Sequence, residues 1–235
     1  MVQCQLTVNP KFDLVINKCD KLVMKPSKNL SLLLDSLLNF INSRKDIKEF
    51  CDPLPNKFEF KSVKPKSKPV KKLINKNLLQ SNALSNQLIK AVINACDDLC
   101  WNTTYTKEQV GADFLMRYGW FDIISANGPF ITDNFRIMIG YWGDGLDYQL
   151  HWHLAEEAYI PISGSALFWS ESMGQNIYSV GDIVINKSNE KHWTKMTNGP
   201  LLAIAIWKGS DLRVNPVITS RDGKKIHNVK ENIKQ

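Results

Sequence analysis

Histidine is scarce in this chain, with only four in 235 residues. Cysteine is hardly commoner: there are five, an odd number, and no C-x-x-C pair occurs. That argues against a disulfide framework and against a dithiol redox centre, and it leaves buried free thiols in a reducing compartment as the expectation. Cys96 and Cys100 are spaced to share one helix face. No apolar run reaches the roughly 18 residues that a membrane span needs. The opening residues, MVQCQLTVNPKFDLV, lack the basic start and continuous apolar stretch of a secretory signal. The expectation is a soluble, cytoplasmic protein with no membrane partner. No internal repeat is visible.

Acidic residues are in deficit overall, since the formal net charge is +7. The deficit is not where a nucleic-acid surface would need it. From Asp113 through Asp211 there are eleven Asp and Glu against six Lys and Arg. The basic excess lies in the flanks, KSVKPKSKPVKK (61–72) and RDGKKIHNVKENIKQ (221–235). A lysine run broken by prolines reads as a solvated connector. No nucleic-acid partner is expected.

Hydrophobic residues make up 43% and charged residues 23%, an ordinary globular balance in a chain long enough to bury a substantial core. Leu30, Leu33, Leu34, Leu37 and Ile41 form a helical stripe that Ser27 or Asn29 can cap. Leu84, Leu88, Val92, Cys96 and Leu99 form a second stripe in 81–101. Beyond about residue 130 the pattern changes. FRIMIGYW (135–142), YQLHWH, EAYIPISG, SALFWSE, NIYSVGDIVIN, HWTKM and LLAIAIW are short, β-branched and aromatic, with Gly, Asn and Pro between them. Such spacing predicts a small antiparallel barrel or sandwich. The expected organisation is a mostly helical region over 1–130 with a Lys/Pro-rich connector near 61–77, a β-domain over 131–212, and a polar basic tail over 213–235.

The histidines concentrate in that β-domain. HWHLAEEAY (151–159) places His151 and His153 two residues apart, so one strand face carries both and Trp152 points the other way. Glu157 and Tyr159 share a face on the next extended segment. A turn at Leu154–Glu156 would let them converge. Two imidazoles and a carboxylate are ligands for a divalent transition metal. His192, at the start of a later strand, brings a third imidazole into the same region, whereas His227 lies in the polar tail.

The spacing Gly145-x5-His151-x-His153-x3-Glu157-x6-Gly164 is similar to the first cupin motif throughout its length. The second motif, G-x5-P-x-G-x2-H-x3-N, is matched at Gly181 and His192, while Lys187, Asn189 and Met196 stand where Pro, Gly and Asn are usual. The resemblance implies a mainly β fold, the cupin double-stranded β-barrel of jelly-roll type, with an α-helical N-terminal region packed against it. It also implies His151, His153, Glu157 and His192 as ligands of one divalent transition metal ion, with Zn or Fe favoured and Mn or Ni compatible. More narrowly, H-x-H-x3-E-x-Y followed by Gly181, Asp182 and His192, with Tyr148 three residues before the first histidine and Trp207 on a late strand, resembles the bacterial cupin-type dimethylsulfoniopropionate (DMSP) lyases over about residues 80 to 210. The implied reaction is β-elimination of DMSP, a zwitterionic sulfonium carboxylate, to dimethyl sulfide and acrylate.

In that reading Tyr159 is the base, and Tyr148 and Trp207 bind substrate. A sulfonium cation suits an aromatic face, and Ala203, Ala205 and Trp207 share one face of their strand while Leu202, Ile204 and Ile206 share the other. Strict alternation points Tyr148 away from His151 and His153 unless the strand bulges. Trp152, Trp169 and Trp193 are expected between barrel and helices, and Arg136 is expected to be exposed or paired. An iron-dependent dioxygenase and a cupin sugar isomerase suit the same ligand set, and a non-catalytic ligand-binding cupin is a further alternative. A homodimer is compatible with the sequence.

Overall fold

The computed structural model describes residues 24–74 and 82–220. The first part is helical: α1 (Lys28–Asn42), α2 (Lys45–Phe50), a 3-10 turn (Pro69–Leu73), α3 (Asn86–Ala95) and α4 (Lys107–Arg117), with a short strand, β1 (Glu59–Phe60), between α2 and the turn. Helix α1 forms where the leucine stripe predicts it. Ser27 Oγ caps it by accepting the Leu30 N–H and donates in turn to Asp98, which ties the start of α1 to the segment after α3. Helix α3 is shorter than the second stripe. Asn82 Oδ1 accepts the N–H groups of Leu84 and Ser85, a side-chain turn that competes with helix, so Leu84 stays outside it.

Eleven further strands follow: β2 (Tyr118–Ile124), β3 (Phe130–Ile131), β4 (Phe135–Trp142), β5 (Asp147–Trp152), β6 (Glu156–Ser163), β7 (Ser165–Ser170), β8 (Gly174–Ser179), β9 (Val184–Asn186), β10 (His192–Lys195), β11 (Leu201–Lys208) and β12 (Val217–Ile218). They make two sheets, in the orders β1-β3-β2-β4-β11-β6-β9 and β12-β5-β10-β7-β8. The fold is mainly β and cupin-like, with two sheets enclosing one interior and helices on one flank. Sheet structure starts ahead of residue 131, because Tyr118–Ile124 is apolar on both faces and pairs along the length of β4. The residues of the basic tail beyond 220, and those of the connector from 75, lie outside the described residues.

Strand β11 runs between β4 and β6 and divides two apolar cores. Leu202, Ile204 and Ile206 join Leu33, Leu37, Leu88 and Val92 in a core between sheet and helices. Ala203, Ala205 and Trp207 face inward with Tyr148, Tyr159 and Phe168 from both sheets. Helices α1, α2 and α3 therefore cover the outer face of the seven-stranded sheet, whereas Phe114 of α4 packs with the inward side chains. This corrects the expectation for the three other tryptophans. Trp169 and Trp193 stack at 6.2 Å across β7 and β10, and Trp152 is approached by Lys191, all on the five-stranded sheet that contributes nothing to the helical core. Among the described residues no helix is long and apolar enough to cross a membrane.

Two motif positions fix the frame of the site. Gly164 has φ 78°, and a Cβ there would collide with the Pro200 carbonyl oxygen, so the turn between β6 and β7 admits only glycine. Asn189 has φ 60°, the left-handed conformation asparagine tolerates, so it replaces the usual glycine without losing the turn. Its N–H donates to the His153 carbonyl, which holds the loop before β10 against the end of β5.

Candidate metal centre and substrate cavity

His153, Glu157 and His192 bring one donor atom each to within 4.8 Å of one another. Strand β5 ends beside the cluster, β6 carries Glu157, and β10 carries His192 opposite His151 in register. The ring of His151 lies 4.1 Å from that of His192. All four side chains are buried.

Each imidazole is oriented by a main-chain carbonyl. Nδ1 of His151 meets the Gln149 oxygen at 2.7 Å, Nδ1 of His153 the Ala155 oxygen at 2.9 Å, and Nδ1 of His192 the Glu190 oxygen at 2.8 Å. A carbonyl only accepts, so in each ring the Nδ1–H donates and Nε2 is the remaining ring nitrogen; that of His153 lies 3.3 Å from Glu157 Oε2. Nε2 of His151 has no partner, and Nε2 of His192 stands 3.2 Å from Glu157 Oε2 without hydrogen-bonding geometry. Buried nitrogens left in this state cost stability unless a ligand takes them. The donors of His153, Glu157 and His192 could hold a divalent transition metal of the imidazole-binding kind, and His151, the fourth donor expected from the sequence, lies outside that trio with its ring beside that of His192.

Glu157 is held at both oxygens. Trp207 Nε1 donates to Oε1 at 2.6 Å and Asn186 Nδ2 donates to Oε2 at 2.9 Å. Both contacts follow from register, since Trp207 and Asn186 face Glu157 on β11 and β9. Burial opposes charge on Glu157, yet the imidazoles of His153 and His192 beside it hold its carboxyl well below the usual range. Burial, together with the nearby His192, keeps His151 well below the ordinary histidine value, so it is neutral and free to bind a cation. Glu190 fixes the approach to His192. Its carboxylate accepts the N–H groups of Ser172 and Lys187, each at 2.7 Å. Burial works against that charge, but these bonds win and bring its pKa down to about 2.

Beside the cluster lies a small cavity of about 40 Å³ whose lining includes Tyr118, Arg136, Trp142, Tyr148, Glu157 and Tyr159. Tyr148 reaches it because β5 bulges. Thr194 and His192 on β10, two residues apart, pair with Tyr148 and His151, three apart. The extra residue returns Tyr148 to the inner face, where its ring stacks on His151 at 3.9 Å and its hydroxyl bonds that of Tyr105 at 2.8 Å. Tyr159 pairs with Ala205, whose small side chain leaves space in front of it. Burial, then the Glu157 charge, pushes the Tyr159 hydroxyl well above 10.

Trp207 also lines the cavity, with the His153 ring 4.2 Å away and the Arg136 guanidinium carbon 5.4 Å from its ring centre. Arg136 is paired, as expected: it bonds Asp122 at 2.9 Å and lies over Trp120. Asp182 closes the turn after β8 through Ser179 and takes no part in the site. Sequence reasoning missed Asn186, Glu190, Tyr105 and Trp142. Alternation along VIN could have placed Asn186 inward, whereas the other three carry no local signal.

An inward-facing His-rich cluster in a cupin-like sheet pair, opening on an aromatic cavity, defines a small-molecule cupin with a candidate metal centre. The profile of the dimethylsulfoniopropionate lyase family matches residues 42–203, and the chain belongs to that family. It is 35% identical over 124 residues to dimethylsulfoniopropionate lyase DddQ of Ruegeria pomeroyi, a match that spans 53% of this chain and 61% of that protein. The crystal structure of DMSP lyase DddQ from Ruegeria pomeroyi superposes with a TM-score of 0.77 at 29% identity, covering 83% of this chain and 98% of that one. A chain from the crystal structures of the DMSP lyases RdDddP and RnDddQII gives 0.78 at 29% identity, covering 82% and 98%.

Proposed function

We propose that this protein splits dimethylsulfoniopropionate into dimethyl sulfide and acrylate. The observation that carries the reading is that Tyr159 and Glu157 line one cavity beside a His/Glu/His cluster that could hold a metal. His151, His153, Glu157 and His192 would hold one divalent transition metal ion. Bound there, it would supply a Lewis acid for the substrate carboxylate and a positive charge that favours ionised phenol.

Tyr159, as its phenolate, takes the proton from the carbon next to the carboxylate and becomes the neutral phenol. The released electron pair becomes the new carbon–carbon double bond, the bond to sulfur breaks, and its electrons leave with neutral dimethyl sulfide. The leaving group is good and the proton is poor, so the base and the stabilisation of charge on the carboxylate are what the protein must provide. Burial keeps Tyr105 and Tyr148 protonated, one hydroxyl donates to the other across 2.8 Å, and Tyr148 lines the cavity. Trp207 and Asn186 keep Glu157 in place.

Tyr159→Phe removes the base and leaves the four metal donors. The variant is expected to retain bound metal and fold, and to lose at least the hundredfold typical of a general base in dimethyl sulfide release. Full activity in that variant would end the assignment.

A further inference from the structure

Five buried side-chain polar atoms among the described residues have no hydrogen-bond partner. Two are the Nε2 atoms of His151 and His192, whose rings lie 4.1 Å apart at the candidate metal centre. A third is Nε1 of Trp142, a residue that lines the cavity and is only 3% exposed. Indole N–H is donor-only, so what satisfies it must bring an acceptor. The Trp142 ring lies 6.1 Å from Tyr148, which itself stacks on His151, and 5.8 Å from Tyr159. It is thus one ring away from the metal donors and beside the proposed base. Gly140 makes this position available, because a Cβ there would overlap the six-membered ring of Trp142.

We infer that the Trp142 N–H is a substrate-binding donor that takes one carboxylate oxygen of the ligand. This assignment rests on the lyase reading, which supplies a carboxylate, and extends it to a residue outside the family motif. Arg136 is the alternative anion partner in the cavity, but its guanidinium is already committed to Asp122, to the Leu212 carbonyl and to the faces of Trp120 and Trp207. A neutral donor also suits a zwitterion better than a free cation, since it fixes the anionic end without repelling the sulfonium. With one oxygen on Trp142 and the other toward the His/Glu cluster, the carbon next to the carboxylate is presented to Tyr159.

The test is calorimetric titration of the metal-loaded protein with sodium acrylate and with acrylamide, its neutral isostere. Wild type, Trp142→Phe and Gly140→Ala would be compared, with metal content and thermal melting measured on each. A hydrogen bond to a charged group predicts that Trp142→Phe weakens acrylate roughly tenfold or more and leaves acrylamide within about twofold. Gly140→Ala, which displaces the ring, is expected to weaken acrylate in the same sense. Unchanged acrylate affinity in Trp142→Phe, or equal weakening of both ligands, would overturn the assignment while leaving the lyase reading intact. A wild-type protein that neither binds acrylate nor releases dimethyl sulfide from DMSP would instead remove the reading on which the assignment rests.

Discussion

Replacing Trp207 by phenylalanine keeps an aromatic ring on β11 and deletes one N–H. That N–H is the 2.6 Å donor to Glu157 Oε1. A hydrogen bond to a buried charged group contributes about 1.5–3 kcal/mol. Partners of this kind, one step behind a metal ligand, are worth about 10–100-fold in metal affinity. Asn186 still holds the other oxygen at 2.9 Å, so the loss is expected toward the lower end, about tenfold. The smaller ring also gives up part of the stacking on His153. The assay is competition for Zn and Mn against a chromophoric chelator, with circular dichroism to confirm the fold. Trp193→Phe is the control, since that ring stacks on Trp169 on the far face of the five-stranded sheet. Metal affinity unchanged in folded Trp207→Phe, or reduced as much in Trp193→Phe, would refute the view that Trp207 acts by holding Glu157.

Alkali should destabilise the fold before it inactivates any catalytic group. Burial pushes Cys51 and Cys96 from 9.0 to about 12, and Tyr118 from 10.0 to about 12. The unfolded chain releases these protons first, so the stabilisation is complete below about pH 9 and is lost as pH rises from there toward 12. Melting temperature across pH 8 to 11 is expected to fall, and a flat profile would contradict this. Glu190 has the opposite sign. Its pKa falls from 4.5 to about 2, so its contribution is present above about pH 4.5 and is lost on acidification toward 2. Glu190→Gln should lower unfolding free energy by about 1–3 kcal/mol at pH 7 in urea titrations. The gap should close near pH 2, and an equal gap at both pH values would show that the charge is not the cause.

The sequence was most legible where structure is set locally. FRIMIGYW is one strand from end to end, because it is rich in β-branched and aromatic residues up to the Gly143–Gly145 turn. The leucine stripe of α1 and its Ser27 cap were readable for the same reason. Helix α3 was overestimated because apolar spacing says nothing of an Asn82 side chain that captures the N–H groups of the next turn. The motif residues of the site were legible as a spacing, but their supporting contacts were not. Asn186 and Trp207 reach Glu157 through the pairing of strands far apart in sequence, and the inward turn of Tyr148 depends on a bulge against β10. Which sheet the helices cover is likewise a property of the whole fold, and for that reason the outer tryptophans were misplaced.

The central claim is the elimination itself, and one experiment addresses it directly. The purified protein would be incubated anaerobically with dimethylsulfoniopropionate, with and without a chelator, while dimethyl sulfide is measured in the headspace and acrylate in solution. The account predicts equal amounts of the two products without oxygen, abolished by the chelator and restored by added divalent metal. No product with any of Zn, Fe, Mn or Ni, or a strict need for oxygen, would contradict it.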